Sequence, residues 1–162
     1  MPMKFNHFDE QGHAVMVDVS AKQASTRMAV AMAEVRLSSG LLSAIQNMDI
    51  AKGDVLGVAR LAGVMATKKT PDLIPLSHPL ALDAVTLEFD LDHSAGRIEI
   101  KCMVRAFERT GVEMEAMTGA AVAALTIYDM CKGCDKSITI GEIKLLYKEG
   151  GKSGVYRREG KP

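Results

Sequence analysis

The run Ile74-Pro75-Leu76-Ser77-His78-Pro79-Leu80 holds one imidazole between two prolines in an otherwise apolar stretch. Proline fixes its own φ, and Pro79 biases His78 toward extended backbone, so the ring sits on a stiff approach to a strand. Histidine exchanges protons near neutral pH, which makes a rigidly held ring a candidate for acid–base or phosphate chemistry. A core or strand-edge histidine whose nitrogens are satisfied by backbone is the competing reading.

A second set of ionisable residues lies along one long helical segment. Glu113 and Glu115 flank its start, and Asp129 and Lys132 lie at its end. Carboxylates in a first turn follow the helix dipole, and Glu113 also has capping-box spacing, so a structural role accounts for those two. Asp129 is different, because a carboxylate in the last turn opposes the dipole. Lys132, three residues on and on the same face, supplies a compensating cation. A solvated ion pair is the alternative here.

Residues 115 and 129 share a face but stand nearly four turns apart, about 21 Å along the axis. One small-molecule pocket does not easily use both ends within a single chain. A function for both implies two pockets, or one pocket assembled from different subunits. Arg27, Lys52, Lys69, Lys132, Lys148 and Lys152 punctuate loops and element ends rather than forming a block. That spread suits convergence on a polyphosphate, although any one of them also reads as an ordinary surface cation.

Two tempting motifs do not hold. Gly150-Gly151-Lys152-Ser153 is not a P-loop, since GxxxxGK[ST] would need glycine where Leu146 stands. Cys131-Lys132-Gly133-Cys134 has CxxC spacing but closes a helix, and no second pair completes a four-ligand zinc set. No metal site is expected.

The elements that position these groups follow from composition and periodicity. With 162 residues, 48% of them hydrophobic, the chain is expected to form a single catalytic domain over 1–162, with mobile tails at about 1–14 and 150–162. Twenty basic and twenty acidic residues cancel, which argues against a nucleic-acid binder or a polybasic membrane anchor. No apolar run reaches the roughly 20 residues of a membrane span. Three cysteines, an odd number, fit a reducing compartment, so a cytoplasmic location is expected.

Met28 to Leu37 reads as a strand and 40–48 as a short helix. A longer helix begins at Asp54, where Val55, Val58, Ala59, Ala62, Met65 and Ala66 recur at helical spacing. Lys68-Lys69-Thr70-Pro71 ends it. Val85, Leu87, Phe89 and Leu91, then Ile98, Ile100, Cys102 and Val104, alternate with polar residues on either side of a Gly96 turn. That is a β-hairpin with one wet face. A helix over 111–132, opened by Thr110-Gly111-Val112-Glu113 as a capping box, and a strand over 138–148 complete the order. The result is an α+β, split βαβ pattern with one extra helix: a ferredoxin-like antiparallel sheet covered by helices on one face. The open face, with Met28, Val30 and Met32 on it, predicts self-association.

Six segments together carry a resemblance. They are Met16-Val17-Asp18-Val19-Ser20 with Lys22 and Arg27, Lys52-Gly53-Asp54-Val55-Leu56, Pro75 to Leu80, Gly111 to Ala116, Tyr128-Asp129-Met130-Cys131-Lys132, and Gly150 to Gly154. In that order, over about residues 15–154, the chain resembles the MoaC family, the cyclic pyranopterin monophosphate synthases of molybdenum cofactor biosynthesis. The resemblance implies a homohexamer, a trimer of dimers with sites at the dimer interface. It also implies a lyase that converts 3′,8-cyclo-7,8-dihydro-GTP to cyclic pyranopterin monophosphate and releases pyrophosphate, without metal or organic cofactor.

Carried over motif by motif, Asp129 resembles the active-site acid/base and Lys132 a catalytic or phosphate-neutralising cation, with His78 and Lys52 in the catalytic set. Leu76, Ser77, His78, Glu113, Met114, Glu115, Arg27, Lys148 and Lys152 resemble substrate-binding positions. Ser77 departs from the family, which commonly has cysteine before the histidine. A ferredoxin-like regulatory module that binds a small molecule without catalysis is the alternative. It would need the pocket but not the ionisable set.

Overall fold

The structure is a computed structural model, described here for residues 6–159. Nine elements follow one another. They are β1 (Ser25–Arg36), α1 (Ser39–Gln46), α2 (Val55–Thr67), α3 (Thr70–Leu73), β2 (Ala84–Asp92), β3 (Arg97–Glu108), α4 (Glu113–Cys131), β4 (Thr139–Glu149) and β5 (Tyr156–Arg157).

The first two helix starts have a local cause. The Ser38 hydroxyl accepts from the Leu41 amide at 3.3 Å, and the Asp54 carboxylate accepts from the Gly57 amide at 2.8 Å. α2 ends where Lys68-Lys69-Thr70-Pro71 predicts, but two later helix starts differ from the sequence expectation. Pro71 does not simply terminate α2. It occupies the first turn of α3, where its missing N–H is harmless. The expected capping box at Thr110 is absent: Val112 is the N-cap of α4, and no side chain caps that end.

The strands form one sheet in the order β2-β3-β1-β4-β5, with every neighbouring pair antiparallel. With β5 set aside, that order and the two crossover helices α2 and α4 make a ferredoxin-like α+β fold. β5 lies in the stretch expected to be a tail and pairs only Tyr156 and Arg157 with β4.

Alternation sorts the faces. Ala29, Ala31, Ala33 and Val35 on β1, and Ile98, Ile100, Cys102, Val104 and Ala106 on β3, are fully buried. α4 answers with Ala116, Ala120, Ala123 and Ala124, all fully buried. Small side chains on both surfaces bring the helix axis close to the sheet, so its ends are fixed firmly. The α2–α4 approach is equally tight. A Cβ on Gly119 would come within 2.7 Å of both the Cys102 sulfur and the Thr67 methyl.

The other face of the sheet carries a shallow cleft lined by Met28, Val30, Met32, Glu34 and Arg97. There Glu34 is buried and pairs with Arg36 at 2.6 Å and Arg97 at 3.2 Å. None of the described helices is long and apolar enough to cross a membrane.

Candidate active site

α4 organises the chemistry because both of its ends meet loops rich in ionisable groups. At its N-terminal end, a cleft of about 530 Å³ is lined by Leu76, Ser77, His78, Glu113, Met114 and Glu115, among others. The proline-bracketed segment thus arrives beside the first turn of the helix. His78 is half-buried, and its Nε2 donates to the Val17 carbonyl oxygen at 2.8 Å. A carbonyl only accepts, so the proton is on Nε2 and Nδ1 is the atom left to exchange one. The same bond ties the Met16–Ser20 segment to the cleft.

Glu115 is the outlier of this end. Its side chain is 2% exposed, and its Oε1 has no hydrogen-bond partner among the described residues. Burial, with the nearby Glu113 charge adding to it, pushes its carboxyl up to about 7. A carboxyl held there can be a neutral donor or a base near physiological pH.

A second cleft of about 780 Å³ adjoins the first and shares Lys22, Thr110, Gly111 and Glu113 with it. Arg27, Lys148 and Lys152 line it. Lys148 Nζ pairs with Glu113 at 3.0 Å and donates to the Ser153 hydroxyl at 2.8 Å. Lys22 and Arg109 also line this cleft and were not singled out as pocket residues in the sequence. The available signal was Arg109 directly before Thr110-Gly111, a cation where a strand hands over to a helix.

At the other end of α4, Lys132 Nζ lies 2.6 Å from Asp129 Oδ1, as the i,i+3 spacing predicts. Lys52 joins them from the α1–α2 loop, its ammonium donating to the Asp129 backbone carbonyl at 2.9 Å. That loop turns at Gly53, whose φ of +88° favours glycine. The hydrogen bond and charge of Lys132, then the charge of Lys52, hold the Asp129 carboxyl below its usual value, and Asp129 in turn raises Lys132. Lys132→Met is therefore expected to raise the Asp129 titration midpoint toward 3.8, read by carboxyl carbon NMR. A midpoint that stays put would remove Lys132 as the cause.

The residues carried over from the family motifs thus fall into two groups, at opposite ends of one helix. His78, Ser77, Leu76, Glu113, Met114, Glu115, Arg27, Lys148 and Lys152 gather at one end; Lys52, Asp129 and Lys132 gather at the other. Cys131 is a buried free thiol and Cys134 an exposed one. Burial is the main cause that pushes Cys131 up to about 11, far from thiolate reactivity at neutral pH.

A helix-covered ferredoxin-like sheet with ionisable clefts at its loop ends defines the class, an α+β protein that handles a small charged molecule. The MoaC family model matches residues 16–151. A cyclic pyranopterin monophosphate synthase of Trichlorobacter lovleyi is 73% identical over 97% of this chain and 98% of its own length. Its counterpart in Geobacter sulfurreducens is 62% identical with the same coverage, and that of Clostridium perfringens is 49% identical over 96% of this chain and 99% of its own. The chain belongs to the MoaC family, and it is an enzyme.

Proposed function

We propose that this chain converts 3′,8-cyclo-7,8-dihydro-GTP to cyclic pyranopterin monophosphate and releases pyrophosphate. The observation that carries this reading is the pairing of two chemistries in adjoining clefts. Proton-exchanging groups, His78 and Glu115, line one, and cations, Arg27, Lys148 and Lys152, line the other. Ring rearrangement moves protons at several atoms, which an imidazole, carboxyls and a lysine can share. Closing the cyclic phosphate forms a bond from a ribose-derived hydroxyl to the first phosphorus and breaks the bond to the leaving pyrophosphate. Cations stabilise the charge that spreads over the oxygens and onto the leaving group. Asp129 serves as acid/base with Lys132 and Lys52 beside it. Leu76, Ser77 and Met114 shape the wall around the ring.

The site is completed by a second copy of the chain. Glu115 Oε1 is buried without a hydrogen-bond partner among the described residues, while Asp129, with Lys52 and Lys132 beside it, lies about 21 Å away along the same helix. An α4–α4 contact about a two-fold axis near Val122 would run the helices antiparallel and set each end against the partner's other end. The surface between is suited to it: Met114 and Leu125 are 38% and 57% exposed, and Leu61 and Met65 on the neighbouring α2 are 62% and 58% exposed. Acidic Glu113 and the cleft that Glu115 lines would then face the partner's cations. Three such dimers make the homohexamer expected of the family, at work in the cytoplasm as a single catalytic domain, with neither nucleic acid nor membrane as partner. Asp129 and the orphaned Glu115 favour catalysis over a regulatory binding module, which needs neither.

The test is incubation with the cyclised GTP derivative, following pyrophosphate and pterin fluorescence. One pyrophosphate per pterin is expected. Folded, assembled protein that yields neither would reject the enzymatic reading of the site.

A further inference from the structure

Residues 7–15, most of them in the stretch expected to be a tail, form a short hairpin held by local bonds. Phe8 and Ala14 bridge antiparallel, and the Val15 amide donates to the His7 carbonyl at 2.9 Å. At the tip, the Asp9 carboxylate accepts from the Gln11 amide at 2.9 Å and the His13 amide at 2.8 Å. Gly12 turns the chain there with a φ of +83°, which favours glycine. A two-stranded hairpin is marginal by itself in water, so its fastening decides where it stays. The fastening is the His78 Nε2 bond to the Val17 carbonyl, two residues past Val15. The imidazole of the ring cleft thus latches the hairpin beside that cleft.

The hairpin delivers His7, which lines the same cleft as Lys22, His78, Glu113 and Glu115. The chain has four histidines. Three of them use the ring: His13 bonds the Asp9 carboxylate at 3.2 Å, His78 the Val17 carbonyl, and His93 the Gln46 Oε1 at 2.7 Å. Among the described residues no hydrogen bond uses the His7 ring. The other groups of the cleft are partly committed. His78 has only Nδ1 to exchange a proton, and Glu113 is paired with Lys148 at 3.0 Å. A rearrangement that moves protons at several ring atoms is served by a second imidazole with both nitrogens open.

We infer that His7 is a further substrate-contacting residue of the ring cleft, placed there by the N-terminal hairpin and exchanging a proton with the bound ring system. The neutral imidazole takes a proton from one substrate atom and, as imidazolium, returns it to another, so it ends the turnover as it began. The inference rests on the reading that this cleft takes the cyclised nucleotide. It goes beyond that reading by giving His7 a role and residues 7–15 the task of holding it in place.

Two measurements on the assembled protein test it. Steady-state kinetics with the cyclised GTP derivative should show kcat lowered roughly 10²-fold in both His7→Ala and His7→Gln, since an amide hydrogen-bonds but moves no proton. KM should rise in His7→Ala and return toward the parental value in His7→Gln. His7 is exposed, so both variants should fold. His13→Ala removes the other imidazole of the hairpin, which lines neither cleft, and should keep parental kcat. The second measurement needs no turnover. In histidine-ring NMR of the Asp129→Asn protein, the His7 signals, assigned by their loss when His7→Gln is added, should move as the cyclised GTP derivative binds.

Parental kcat in either His7 variant would overturn the inference. So would an equal loss in His13→Ala, since activity would then follow the hairpin rather than the His7 ring. His7 signals that stay fixed at saturation would remove the contact, even with turnover intact, and leave the lyase reading standing. Signals that move in a protein whose parent never turns over would reject the lyase, and the proton exchange with it, while His7 remains a ligand contact.

Discussion

Asp129→Asn is expected to fold and assemble like the parent and to lose roughly 10²–10⁴-fold in turnover, the usual contribution of a positioned acid or base. The side chain is exposed and makes no core contact, so the change removes charge and proton exchange without opening a cavity. Its hydrogen bond from Lys132 survives with the amide oxygen as acceptor, and the Lys52 bond is to the backbone carbonyl, which the substitution does not touch. The loss should fall on kcat more than on KM, because the side chains proposed to hold the ring, Leu76, Ser77 and Met114, come from the other end of α4. Comparison of kcat and KM with thermal stability and assembly state checks this. Near-normal turnover would remove Asp129 from the mechanism and leave it as half of a surface ion pair.

The sheet and the two long helices were legible because their signals are periodic. Alternation over Val85–Leu91 and Ile98–Val104 and helical spacing over Val55–Ala66 survive any detail of packing. What periodicity does not encode is which loops meet. Lys52 is far from Asp129 in sequence, and nothing in its spacing says that a turn at Gly53 delivers it there. α3 and β5 are short, four and two residues, and each is stabilised by neighbours rather than by its own pattern. The capping box failed for a related reason. Thr110 and Glu113 have the right spacing, but the Glu113 carboxylate pairs with Lys148 on another strand, and a long-range ion pair replaces the local one. Lys22 and Arg109 look like ordinary exposed cations until the arm folds beside them. By contrast, the 21 Å between Glu115 and Asp129 was readable from residue numbers alone, because a straight helix converts numbers to distance.

Mixing an inactive Asp129→Asn protein with an inactive Glu115→Gln protein is expected to restore about one quarter of parental activity once subunits have exchanged. The figure follows from the symmetry. Random pairing makes half of the dimers mixed, and each mixed dimer holds one site with both residues intact and one with both altered. Glu115→Gln keeps the volume of a buried side chain and supplies a neutral group where the parent carboxyl is already pushed up to about 7, so this variant should fold. Its activity should nevertheless fall, because an amide neither gives nor takes the proton. Mass-labelled subunits verify the exchange independently of turnover. A site contained within one chain predicts no recovery, since every subunit then carries a defect. Verified exchange without recovery would reject the shared site and leave the two ends of α4 as separate pockets. Recovery would place Glu115 of one subunit and Asp129 of another in a single site.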